Sequence, residues 1–113
     1  MKVMNATSGR EVAGNVTVAG SFFSRLKGLI GKKSLPDGEA LWIKPCNSVH
    51  TFGMRFPIDV VFLDRDLQVV AVKARLRPNA ISGIHRKACS VLELPAGALC
   101  DAITAIGDRF EIG

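Results

Sequence analysis

The stretch Ile58-Asp59-Val60-Val61-Phe62-Leu63 decides the fold. It is apolar at both parities except at Asp59, whereas a strand with one wet face alternates apolar and polar residues. It is therefore expected as a central strand covered on both faces. Downstream, Asp64-Arg65-Asp66-Leu67 reads as a turn and residues 68–76 as the second arm of a hairpin. In that arm Val70, Val72, Ala74 and Leu76 share one parity. The other parity changes from Val69 and Ala71 to Lys73, Arg75 and Arg77, as in a strand running out of the core into solvent. Upstream, Pro57 cannot donate to a ladder, so residues 49–56 form a separate strand or an extended loop.

The remaining chain is read outward from this hairpin. Residues 10–18 suggest a first strand, weakened in its middle by Ala13-Gly14-Asn15. Ser21 is placed to cap a helix that carries Phe22, Leu26, Leu29 and Ile30 on one face and stops at Gly31. Residues 40–43 and 90–94 read as strands stopped by Pro45 and Pro95, residues 98–106 as a short helix, and residues 109–112 as a closing strand. The polar, Gly-containing segment 78–87 is the candidate mobile loop. The expected class is α+β, mainly β: a compact antiparallel barrel-like sheet, one amphipathic helix near the N-terminus and one short helix near the C-terminus. A single domain over residues 1–113 is expected, with residues 1–9 poorly ordered.

Composition narrows the class further. With 48% apolar residues in 113, disordered, collagen-like and long coiled-coil chains are excluded. No apolar run follows Lys2, so no signal peptide is expected, and no segment has the ~18 uninterrupted apolar residues of a membrane span. Cys46, Cys89 and Cys100 are odd in number and form no Cys-x-x-Cys pair. Free thiols, a cytoplasmic location and no metal or cofactor are the expectation.

Three stretches, taken together, carry a resemblance. They are Arg25-Leu26-Lys27-Gly28-Leu29-Ile30-Gly31, the run from His50-Thr51-Phe52-Gly53-Met54-Arg55-Phe56-Pro57 through Asp64, and Leu92-Glu93-Leu94-Pro95-Ala96-Gly97 with a terminal Gly107-Asp108. Their order and spacing resemble the bacterial and archaeal family called domain of unknown function 192, over almost the whole chain. The resemblance implies a compact single-domain, β-rich fold and no established activity. Ile30 stands where the family usually has Met, and Leu67 where it commonly has Gly. A leucine resists the positive φ that such a glycine turn uses.

The candidate ligand-binding residues are His50, Thr51, Met54, Arg55 and Asp59, with His50, Thr51, Arg55 and Asp59 forming a pocket at the rim of the core. A carboxylate in an apolar strand is costly unless paired, and Arg25, His50 and Arg55 are possible partners for Asp59. The structural alternative is that Asp59 accepts local backbone N–H groups and His50 bonds a carbonyl. Glu93 poses the same question between Leu92 and Leu94, and a facing Asp59/Glu93 pair would raise one pKa as a general acid requires. Cys46-x-x-x-His50-x-x-x-Met54 suggests a soft-metal loop, but the second imidazole that copper needs could come only from His85. The same residues suggest a Cys46 nucleophile with His50 as base, oriented by Asp59. Gly28 and Gly31 form no phosphate loop, since no Gly-Lys-Ser/Thr follows them.

The net charge of +5 is unevenly placed. Lys73, Arg75, Arg77, Arg86 and Lys87 lie between Leu67 and Leu92 with no acid among them. They are expected to contact an anionic small molecule or an acidic protein surface. Stacking aromatics are absent from this segment, so nucleic acid is not the expected partner and no membrane contact is expected. A binding or accessory module is the primary reading. The alternatives are a small hydrolase or transferase using Cys46/His50 or Asp59/Glu93, and nucleic-acid contact through Lys73, Arg75 and Arg77.

Overall fold

The computed structural model describes residues 1–113. Its centre is β5 (Ile58–Leu63), flanked on one side by β6 (Val69–Leu76) and on the other by β7 (Ser90–Pro95). Beyond β7 lie β4 (Glu39–Ile43) and β3 (Asn15–Ala19), completing a five-stranded sheet of order β3-β4-β7-β5-β6. All residues of β5 and β7 are buried, so the two-parity apolar pattern does report cover on both faces. Each fully buried Val, Leu, Ile or Phe contributes roughly 1.5–3 kcal/mol, which makes these two strands the anchor of the fold.

The two covers differ in kind. A three-stranded sheet of β2 (Arg10–Ala13), β1 (Val3–Asn5) and β8 (Phe110–Ile112), with helix α2 (Ala98–Asp101), packs over one face. Val3, Val12, Phe110 and Leu99 there meet Trp42, Val61, Leu63, Leu92 and Leu94. The opposite face bears Leu41, Ile43, Ile58, Val60, Phe62 and Val91 and is closed by Leu29, Val49, Met54 and Ala88 from turns and loops. No second sheet lies there, and the candidate site does.

The class is α+β, mainly β, but the sheet does not close into a barrel. The reason is local. The run 10–18 breaks at Gly14, where the N–H groups of Gly14 and Asn15 both donate to the Gly38 carbonyl at 2.9 and 3.0 Å. Its halves, β2 and β3, therefore join different sheets. β3 pairs with β4 in parallel, through a crossover that contains α1 (Phe22–Lys27), so the sheet is not wholly antiparallel. The segment 1–9, expected to order poorly, contains β1, and Val3 is fully buried.

Helix α1 is capped as expected: the Ser21 side chain accepts from the Ser24 N–H at 3.1 Å, and Ser24 Oγ accepts from the Ser21 N–H at 3.0 Å. It stops at Gly28 rather than Gly31, because Gly28 takes φ +50°, ψ −123°, which side-chain-bearing residues resist. Of the expected apolar face only Leu29 is buried, while Phe22 and Leu26 are more than half exposed. Residues 49–56 form no strand. Met54 N–H returns to the Thr51 carbonyl at 3.1 Å and Gly53 has φ +79°, so Phe52 turns outward while Met54 turns in. The loop 78–87 is tied to residues 47–51 by Thr51 N–H to Ala80, Ser82 N–H to Val49 and His85 N–H to Asn47, each 2.9 Å.

Candidate ligand-binding cleft

The cleft opens on the loop-covered face, over β4 and β7, and encloses about 250 Å³. Ile43 and Glu93 come from the sheet, Phe22, Arg25 and Leu26 from α1, and Cys46, His50 and Met54 from the loop after β4. The walls are mostly apolar, and three polar side chains define the chemistry.

Glu93 is the first. Its strand neighbours across the ladder are Leu41 and Val60, so nothing polar meets it from the sheet. It is 2% exposed, and its Oε1 has no hydrogen-bond partner. Burial raises its pKa from 4.5 to about 7. Gly28 caps it from above: a Cβ there would lie 3.5 Å from Glu93 Oε1, so the end of α1 rests on the carboxyl. Arg25 is the second. Its Nη1 donates to the Pro45 carbonyl at 3.1 Å, which holds the guanidinium against the cleft, while its buried Nε has no acceptor. Cys46 is the third. Its thiol donates to the Ser48 carbonyl at 3.0 Å. Burial pushes the Cys46 pKa up; the Ser48 bond lowers it, Glu93 raises it and Arg25 lowers it. His50 is exposed at the mouth and stacks on Phe52, with ring centroids 5.3 Å apart.

The structure thus brings Cys46, His50, Met54 and Glu93 into one cleft. It takes the other expected pocket residues elsewhere. Thr51 is fully buried, donates through Oγ1 to the Arg77 carbonyl at 2.6 Å and accepts from Ala80 N–H at 2.9 Å, pinning two loops together. Arg55 points to solvent. Asp59 is 1% exposed and accepts three backbone N–H groups, from Arg75 at 2.8 Å and from Gly97 and Leu99 at 3.0 Å. It ties the start of α2 to β5.

Register separates the two carboxylates. Asp59 lies opposite Leu94 and Glu93 opposite Val60, so they point to opposite faces of the sheet and form no dyad. Asp59 is equally barred from orienting His50. The Cys46 thiol proton is directed to Ser48 rather than to an imidazole, and His85 lies against the Phe62 ring at 4.1 Å, outside the cleft wall. No three side chains of His, Cys, Asp or Glu come together as a metal site would need.

The basic row also changes. β6 carries a bulge: Val60 faces Lys73 and Ile58 faces Leu76, so two residues of β6 oppose Asp59. Arg75 takes φ +51°, and its guanidinium lies near Gly97, while Lys73 and Leu76 share the other face. Lys73, Arg75 and Arg77 are exposed but do not form one row, and Arg86 and Lys87 are exposed in the following loop. Sequence reasoning missed Arg25 and Gly28 as cleft residues. The available signal was the unexplained Glu93 in an apolar strand, which requires something to cover it.

The family model DUF192, described as Uncharacterized ACR, matches residues 3–112. The chain belongs to this family. A UPF0127 protein of Pyrococcus furiosus is 32% identical over 114 residues, covering 96% of both chains, and one of Thermococcus sibiricus is 32% identical over 96% of this chain and 73% of its own. Among solved structures, a protein of unknown function from Novosphingobium aromaticivorans superposes with a TM-score of 0.84 at 22% identity, covering 98% of this chain and 82% of its own. A candidate transcription regulator from Sinorhizobium meliloti does so with 0.83 at 22%, covering 97% and 89%. These two show that the DUF192 chain shares their fold. No helix of this DUF192 protein is long and apolar enough to cross a membrane.

Proposed function

We propose that this DUF192 protein acts as one domain, residues 1–113, that binds a small, largely apolar molecule carrying a hydrogen-bond donor. One observation carries the reading: Glu93 Oε1 lies buried on an apolar cleft wall without a partner. An unsatisfied buried acceptor costs roughly 1–3 kcal/mol, which a ligand N–H or O–H would recover while its apolar part covers Ile43, Met54 and Leu26. The cleft favours binding over nucleophilic catalysis, because burial raises the Cys46 pKa and the bond to Ser48 directs the thiol proton away from His50. Three free thiols fit a reducing compartment, and we place the protein in the cytoplasm on that ground. The exposed cations of β6 and its loop support a contact with an anionic molecule or an acidic protein surface. The bulge in β6 divides these cations between its two faces. A thermal-shift screen of small aromatic and branched compounds tests the cleft. Binders are expected to raise the melting temperature of the wild type and to lose most of that effect in Glu93→Leu and in His50→Ala. Equal shifts in Glu93→Leu would place the binding elsewhere and reject the proposal.

A further inference from the structure

The cleft holds two buried polar atoms without partners, and they are of opposite kind. Glu93 Oε1 is an acceptor on β7, and Arg25 Nε is a donor on α1. They do not bond each other, so whatever satisfies both must reach from one wall to the other. From this pairing we infer that the ligand's head group is a carboxamide, its N–H donating to Glu93 Oε1 and its carbonyl accepting from Arg25 Nε. The inference rests on the cleft reading above and names the chemistry of its occupant.

Other head groups satisfy less. An ammonium would serve Glu93 but leave Nε unpaired and bring a second positive charge beside the guanidinium. A carboxylate would accept from Arg25 but repel Glu93 once that group ionises. A hydroxyl has both capacities on one oxygen, so it must sit within hydrogen-bond reach of two walls at once. A carboxamide divides donor and acceptor between two atoms in one plane. Arg25 is prepared for such a carbonyl, because its Nη1 bond to Pro45 fixes the guanidinium before anything binds. The remaining walls, including Leu26, Ile30, Ile43 and Met54, suit an aromatic or branched apolar body. A volume of about 250 Å³ limits that body to a small one.

The test uses four probes with the same ring and different heads: benzamide, benzylamine, benzyl alcohol and benzoate. Each is titrated into the ¹⁵N-labelled protein at pH 6 and pH 8, following the amides of residues 25–30, 46–54 and 93. Benzamide is expected to bind about tenfold more tightly than benzyl alcohol, the gain from one additional hydrogen bond to a charged group. Arg25→Lys keeps the charge but removes Nε and the Nη1 bond to Pro45, on a helix that has no fully buried residue, so the fold is kept. It should abolish the preference for benzamide, so that benzamide and benzyl alcohol bind the variant with equal affinity. Benzylamine or benzyl alcohol binding as tightly as benzamide would overturn the carboxamide assignment and leave the cleft reading standing. So would benzamide binding that ignores Arg25→Lys. Absence of binding by all four probes would remove both.

Discussion

Asp59 and Glu93 are acidic residues on adjacent buried strands with opposite fates. Asp59 meets three backbone N–H groups and so serves as a structural tie between β5, the β6 bulge and α2. Asp59→Asn sets an NH₂ against at least one of those donors and is expected to cost about 2–4 kcal/mol, read from urea unfolding at pH 7. Glu93 has no such donors, and burial raises its pKa to about 7. Between pH ~4.5 and ~7 the folded state therefore holds a proton that the unfolded chain has released, so stability falls as pH rises through that window. Glu93→Gln removes this dependence. The stability of the variant relative to wild type should grow by up to about 3 kcal/mol from pH 4 to pH 8. Parallel urea curves at pH 4, 6 and 8 check it, and an unchanged difference would contradict the burial of the carboxyl. The sequence marks both acids as anomalous. Only the register, which sets Asp59 opposite Leu94, shows which face each one occupies.

At the scale of elements, the β5–β6 turn is instructive. Leu67 adopts φ +62°, so the left-handed turn persists where the family commonly has Gly. Leu67 packs against the core between the sheets, which offsets the strain. Leu67→Gly loses packing but relieves strain of roughly 1 kcal/mol, whereas Leu67→Ala loses packing and keeps the strain. The usual order is therefore reversed, and thermal unfolding should find the Gly variant the more stable of the two. Helix α1 shows the limit of periodicity. Its Phe22, Leu26, Leu29 and Ile30 spacing reads as one apolar stripe, yet the helix ends before that stripe completes. Phe22 and Leu26 border the cleft instead of a core, and only Leu29 is buried in one. The β6 alternation failed in the same way, since a bulge resets parity and no residue type announces it.

Over the whole molecule, β5 and β7 belong to both cores, because side chains of alternate parity enter each of them. Neither core can be lost while the other keeps its strands. Unfolding is thus expected to be one transition, with far-UV circular dichroism and the fluorescence of Trp42, which is buried between the sheets, changing at the same urea concentration. Separated midpoints would show that the loop-covered face melts alone. What the sequence determined by itself is the two-faced central strand, the positions of most strands and the mainly β class, because alternation and turn chemistry are local properties. The joining of β2 and β3 to different sheets, the parallel β3–β4 pair and the open edges were decided only in three dimensions, since a break at Gly14 does not say where each half will pair. The cleft was decided there too. Arg25, Cys46 and Glu93 are far apart in the chain, and only the tertiary fold gathers them around one cleft with a buried carboxyl.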